Sequence, residues 1–229
     1  MSGNQEEIKL TLLGNAGVGK TCIISKYIDN TFSENNESTI GANYSEKIIK
    51  KNGKEIQLNI WDTAGQEKFH SLGKHFYKDA MIVCLVYDIT NQDSLDKLRE
   101  VWYPDLKKYG ENCEIIAIVG NKCDLYEKDE LADEEEARAF ANQINATFML
   151  TSAKTGDGIE KLFDTLAGIY LSPNFKQKAE ENKRKRGPSF VVSKNDGEKK
   201  EKNGCCWINK DNNILIMKNK LLLSIDYNN

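Results

Sequence analysis

Long hydrophobic runs are missing from this sequence. Its apolar runs, such as Met81–Val86 and Leu221–Leu223, fall far short of the roughly 20 apolar residues that a bilayer-spanning helix needs. The opening stretch from Met1 to Glu7 is polar, so no secretory signal is expected there. Histidine is scarce: His70 and His75 are the only two, and neither stands in a metal-ligand pattern with cysteine, which argues against a zinc site. The six cysteines do not read as a disulfide framework. Cys22, Cys84, Cys113 and Cys123 are scattered through expected strands and helices, as small core or near-surface thiols in a reducing compartment. No internal repeat occurs. What is present is the composition of a folded body: 39% hydrophobic and 29% charged residues with a formal net charge of -3. The 229 residues are enough for one domain with a proper core, plus a tail.

Segments 6–12, Tyr44–Lys51, Lys54–Trp61, Met81–Tyr87, Ile115–Gly120 and Thr147–Leu150 read as strands. The second and third are joined by Asn52-Gly53, a hairpin signal because both residues tolerate positive φ. The last three are continuous apolar runs, suited to strands buried on both faces. Helical patterns occupy Thr21–Ile28, Ser94–Lys108, Asp133–Asn142 and Gly158–Leu171, with Asp93 and Asp133 as expected N-caps. This alternation specifies an α/β fold: a mostly parallel six-stranded sheet with one antiparallel strand and helices on both faces. Ligands bind such sheets at the carboxyl ends of the strands, so the loops there should hold the chemistry.

Composition changes after Pro173. Lys176–Lys202 carries ten basic and five acidic residues, and its few apolar side chains cannot offset the entropy of ordering it. The expected organisation is a domain over 6–173, a disordered basic tail over 174–206 ending in Cys205 and Cys206, and an extension over 207–229. That extension holds six Asn, three Lys, four Ile and four Leu. Codons for these residues can be rich in A and T, so it reads as translated non-coding sequence. An amphipathic anchor around Ile214–Ile225 is the alternative, but Lys218-Asn-Lys220 interrupts it.

Gly14, Asn15, Ala16, Gly17, Val18, Gly19, Lys20 and Thr21 fit the phosphate-loop pattern, after a strand and opening a helix that continues through Cys22. Glycines let amide N–H groups curl around phosphate oxygens, and the helix N-terminus adds its positive dipole end. Lys20 should reach the β and γ phosphates, and the Thr21 hydroxyl should ligate magnesium. The loop alone would serve an ATPase or a nucleotide kinase equally. Asp62, at the end of an apolar strand, can hold the magnesium shell. Gly65 leaves an amide for the γ phosphate, and Gln66 is placed to orient an attacking water. Read by itself, Asp62-Thr-Ala-Gly65 could be an ordinary turn. Asn121, Lys122 and Asp124 bear on the base: the carboxylate can accept from N1–H and the 2-amino group of guanine, and adenine lacks the latter. Ser152, Ala153 and Lys154 supply a backbone amide for the guanine carbonyl, with Lys154 packing near the base. Thr39, in the polar stretch after Asn30, could complete the magnesium shell when a γ phosphate is present, and Phe32 could cover the guanine face. A plain strand start at Thr39 and a core-edge Phe32 are the alternatives.

Together these motifs resemble those of Ras-like small GTPases, over about Glu7 to Leu171, and among them the chain is most similar to the Rab family. The marks are Ser38-Thr-Ile-Gly-Ala42, Ile60-Trp-Asp-Thr-Ala-Gly-Gln-Glu67 and Tyr87-Asp-Ile-Thr-Asn91. The resemblance implies a magnesium-dependent switch between GTP and GDP that recruits effectors in vesicle trafficking. Thr39 would sense the γ phosphate, Phe32 cover the base and Gln66 serve catalysis with Lys20 and Gly65. Tyr44, Trp61 and Phe76 match an aromatic trio through which Rab proteins read effectors. It also implies a monomer served by an exchange factor and an activating protein, with no nucleic-acid partner. Its place would be the cytosol and the cytosolic face of intracellular membranes. The wording of Glu37–Ala42 and Phe69–Leu72 is similar to the early-endosomal branch.

Three positions depart from that pattern. Ala16 stands where Ras itself has glycine. Glu100-Val-Trp102-Tyr-Pro104 is closer to the Rho family, although the 27 residues between Asp124 and Ser152 leave no room for a Rho insertion helix. Cys205-Cys206 looks like a Rab double-prenylation end, yet 23 residues follow it, which compromises the lipidation pattern. The favoured expectation is a mature chain finishing near Cys206 with both cysteines geranylgeranylated. An ATP-dependent kinase would need an arginine-rich lid, and only Arg99, Arg138 and Arg184 occur up to position 184. A pseudo-GTPase that binds without turnover would not need both Gln66 and Thr39.

Overall fold

The central strands of one sheet are apolar on both faces because helices cover both. The computed structural model describes residues 6–34, 39, 42–51, 53–63, 78–127, 131–175 and 177, and the backbone of 206–208, 214–218 and 221–224. The chain divides into two units, Met1–Lys185 and Arg186–Asn229. In the first, β1 (Glu6–Leu13), β2 (Ala42–Lys51), β3 (Lys54–Thr63), β4 (Ile82–Asp88), β5 (Ile115–Asn121) and β6 (Thr147–Thr151) lie in the order β2-β3-β1-β4-β5-β6. All neighbours are parallel except β2, which runs antiparallel to β3. The expected sheet is therefore present. Gly53 turns the hairpin at φ 73, while Asn52 lies outside the described residues.

Alternate residues of β4 feed two separate cores. Ile82, Cys84 and Val86 pack with α1 (Lys20–Asp29) and α5 (Ile159–Leu171) on one face. Val83, Leu85 and Tyr87 pack on the other face with α2 (Gln92–Lys97), a π-helical turn (Leu98–Trp102), α3 (Tyr103–Tyr109) and α4 (Glu134–Gln143). Each fully buried aliphatic side chain contributes about 2 kcal/mol relative to exposure. Among the described residues the four cysteines Cys22, Cys84, Cys113 and Cys123 are free thiols, Cys84 buried and the others half-buried.

Local details differ from the sequence reading. The run Thr147–Leu150 is half-buried rather than enclosed, because β6 is an edge strand flanked only by β5. The helix expected over Ser94–Lys108 begins earlier, capped by Asn91 and not Asp93: the Asn91 side chain accepts from the Ser94 N–H at 3.2 Å. Asp93 falls in the first turn, where a negative charge suits the dipole. The same helix changes winding just before Pro104, whose ring offers no N–H to the ladder and crowds the preceding turn. Asp133 does cap α4, accepting from the Glu136 N–H at 2.9 Å.

In the second unit β7 (Cys206–Ile208), β8 (Ile214–Lys218) and β9 (Leu221–Ser224) form an antiparallel sheet. The sequence reading assigns no regular element there; short Ile/Leu runs broken by Asn and Lys suit strands better than a helix. Of the tail expected over 174–206, Phe175 continues in a helical turn and packs on Tyr170, ring centroids 5.5 Å apart. Cys206 belongs to β7, and apart from 174 and 177 the rest, Cys205 included, lies outside the described residues. Among those described, no helix is long and apolar enough to cross a membrane.

Candidate functional site

The loops following β1, β5 and β6 and the end of β3 meet at the carboxyl edge of the sheet, where the chain leaves β1 toward β2 and leaves β4 toward β5 on the other side, the place such a sheet offers a ligand. With the loop after α1 they line a cavity of about 400 Å³.

The loop after β1 keeps its shape through backbone that only glycine adopts freely. Gly14 has φ 145, and a Cβ there would lie 2.1 Å from the Val86 carbonyl oxygen; Gly19 has φ 94, and its Cβ would meet the Asn121 amide at 2.3 Å. Gly14→Ala should therefore cost at least about 2 kcal/mol, combining left-handed strain with a backbone clash; urea unfolding measures it, and a wild-type midpoint would contradict the packing described. Gly19 caps α1 without a side-chain hydrogen bond, and no acidic residue occupies the first turn, so this helix start suits an anion. Lys20 is buried, and its Nζ donates to the carbonyls of Gly14 at 2.7 Å and Asn15 at 2.9 Å. Burial brings its pKa down to about 8, against the opposing pull of Asp62.

Three oxygens converge beside it. The Thr21 hydroxyl donates to Asp62 Oδ2 at 2.7 Å and lies 2.8 Å from the Thr39 hydroxyl, which is itself 3.4 Å from Asp62 Oδ2. Burial raises the Asp62 pKa, with the Thr21 bond and the Lys20 charge opposing it. Asp62 Oδ1 is buried without a hydrogen-bond partner, an unfavourable condition for a carboxylate that a cation would relieve. Among the described residues no cluster of three or more His, Cys, Asp or Glu exists. Two hydroxyls and one carboxylate thus fit magnesium, which binds few protein oxygens and keeps water and phosphate as its other ligands.

At the far end, Asp124 Oδ1 accepts from the Ser152 hydroxyl at 2.5 Å, and Ser152 Oγ in turn accepts from the Thr155 N–H at 3.1 Å. These bonds fix the carboxylate's orientation. Asn121 has a task the sequence did not reveal. Buried, it donates to the Val18 carbonyl at 2.9 Å and accepts from the Ala153 N–H and the Thr151 hydroxyl, both at 3.2 Å. It fastens three loops together and lines the cavity as well. The Ser152 N–H goes to the Asp157 carbonyl, so of the Ser152–Lys154 amides it is Lys154's that is left for a ligand. Lys122, held at φ 71, places Nζ on Asp88 Oδ2 at 2.6 Å. Lys154 lines the cavity with Asp124, and its Nζ reaches Glu34 at 2.9 Å, drawn by the opposite charge. Phe32, 37% exposed, lines the cavity with Ala16, Gly17 and Cys22.

Gly65, Gln66 and Phe76 lie outside the described residues. Tyr44 and Trp61 face each other across the β2–β3 pair, ring centroids 5.2 Å apart, and Tyr44 is exposed. Asp88 and Glu34 escaped the sequence reading. Asp88 sits within the Tyr87–Asn91 wording without a visible task there, and Glu34 carries no local signal at all.

Comparison with known proteins agrees with this geometry. Residues 9–171 match the Ras family. Ras-related protein Rab-21 of Dictyostelium discoideum is 37% identical over 214 residues, 90% of this chain and 99% of its own. Ras-related protein Rab-21 of Geodia cydonium is 41% identical over 72% of each chain. Ras-related protein Rab-30 of Homo sapiens is 40% identical over 72% of this chain and 80% of its own.

Proposed function

This chain belongs to the Ras family, as a Rab small GTPase, and from that premise we propose that it switches between GTP-bound and GDP-bound states with magnesium as its ion. The observation that carries the reading is the convergence of Thr21, Thr39 and Asp62 around an unpartnered carboxylate oxygen, next to Lys20 and the phosphate loop. Fluorescent GDP should bind tightly with magnesium and leave much faster after EDTA. Equal release in both conditions would remove those three residues as ion ligands.

Hydrolysis on this reading is positioning plus charge stabilisation, with no covalent intermediate. The loop amides and Lys20 hold the phosphates. Bound magnesium would neutralise charge on the β and γ phosphate oxygens. Thr39 ties the loop after α1 to the γ phosphate and releases it after hydrolysis, while Gly65 and Gln66 serve the γ phosphate and the attacking water. No arginine occurs between Asn30 and Tyr44, so intrinsic turnover is slow and an activating protein supplies the missing charge, a gain of roughly 10⁵-fold in Ras, a relative. Gln66→Leu should lose most of the stimulated rate in single-turnover assays while keeping GTP bound. A wild-type stimulated rate would displace Gln66.

Our reading extends to a monomer acting in vesicle trafficking at endocytic membranes, with Tyr44, Trp61 and Phe76 meeting effectors. Geranylgeranyl groups on Cys205 and Cys206 would anchor it, since two chains hold stably where one is marginal. The basic tail adds about 1 kcal/mol per Lys or Arg near an anionic surface. Intact mass of the native protein tests this; a chain carrying 207–229 and unmodified cysteines would refute it.

A further inference from the structure

Glu100-Val-Trp102-Tyr-Pro104 takes no part in the switch just described, yet it reaches the nucleotide site. Pro104 stands in the first turn of α3, and Leu98–Trp102 immediately before it is π-wound. An extra residue per turn changes the face on which the following side chain emerges, and such turns recur at functional sites. Trp102 is 6% exposed, in the core with Leu98, Leu106 and Phe140. Its Nε1 donates to Asn15 Oδ1 at 2.9 Å, across 87 residues of sequence.

Asn15 lies in the phosphate loop, just before its turn at Ala16–Gly17. Its own carbonyl accepts from Lys20 Nζ, as does that of Gly14. Beyond it Ala16 and Gly17 are exposed, and a Cβ at Gly17 would touch nothing within 4 Å, while the Val18 side chain turns back into the core. Among the described residues three further contacts tie the loop to the rest of the protein. Gly14 abuts the Val86 carbonyl, Asn121 holds the Val18 carbonyl, and Trp102 holds Asn15. The first two hold backbone near the loop's ends; the third holds the side chain of Asn15, whose carbonyl also accepts from Lys20 Nζ. An indole N–H can only donate, so the bond also satisfies a group that burial would otherwise leave unpaired.

We propose that Trp102 is a positioning residue for the phosphate loop: its indole N–H fixes Asn15, so that the loop amides and Lys20 meet the phosphates in one geometry. This rests on the nucleotide-binding reading above. The test uses the full chain as wild type, Trp102→Phe, Asn15→Ala and the double variant, each loaded with fluorescent GDP and magnesium. Loss of one net hydrogen bond predicts release about fivefold faster in each single variant. Because both remove the same bond, the double variant should also be about fivefold faster, whereas independent effects would multiply to about 25-fold. The ³¹P line of the bound β phosphate should shift in both single variants, a change that loosened core packing far from the loop would not cause. Asn15→Ala reaches the bond from the exposed side and carries the test if Trp102→Phe does not fold. Wild-type release in the single variants, multiplying rates in the double variant, or an unmoved β-phosphate line overturns the proposal. If wild type binds no GDP, the nucleotide reading falls and takes this with it; tight wild-type binding with any of the other results removes this proposal alone.

Discussion

Asp124→Asn should transfer the preference of this protein from GTP to XTP. On the proposed reading the carboxylate accepts from N1–H and the 2-amino group of guanine; an asparagine amide would keep one acceptor but turn the other into a donor. Facing the 2-amino group, two donors oppose each other, while the 2-carbonyl of xanthine finds a partner. Sites built on such complementarity discriminate by roughly 10⁴, and the relative affinity should swing by about that much. Ser152 favours a clean swap, because its hydroxyl holds Asp124 Oδ1 at 2.5 Å and can donate to the asparagine oxygen in the same way. Competition of GTP and XTP against a fluorescent nucleotide measures the swing. An unchanged preference for GTP would remove Asp124 as the reader of the base.

Thr21→Asn should abolish tight GTP binding while leaving weaker binding of GDP. The Thr21 hydroxyl sits 2.8 Å from Thr39 Oγ1 and donates to Asp62 Oδ2 at 2.7 Å. A longer amide cannot occupy that position without displacing one of them. Loss of a residue that merely orients a metal ligand costs up to about a hundredfold in metal affinity, so loss of a ligand itself should cost at least that. GTP should suffer more than GDP, because Thr39 and the γ phosphate meet only in the triphosphate state on the reading above. Magnesium titrations of the loaded protein report the affinity directly. A wild-type magnesium midpoint would mean that Thr21 holds Asp62 and nothing more.

Legibility in the sequence followed the range over which each feature is encoded. The β2–β3 hairpin, the cap at Asp133 and the central runs at β4 and β5 are local patterns, and the structure has them where the pattern put them, with Gly53 at positive φ. Asp93 failed as a cap because the helix starts two residues earlier, at Asn91, whose side chain accepts from the Ser94 N–H, and both residue types suit a capping position. Thr147–Leu150 reads as enclosed from composition alone, since hydrophobicity does not tell a strand whether it will have one neighbour or two.

The sequence by itself determined the alternation of strands and helices and the chemical identity of the four loops. Apolar periodicity and the small set of residue types that can cradle phosphate or read guanine are properties of neighbouring residues. Only the tertiary structure decided who holds those loops. Asn121 clasps Val18 across 103 residues, Trp102 reaches Asn15 across 87, and Lys154 pairs with Glu34 across 120. Such contacts require donor and acceptor to meet within about 3 Å and nearly in line. That condition depends on the placement of whole elements against one another, and no pattern along the chain states it.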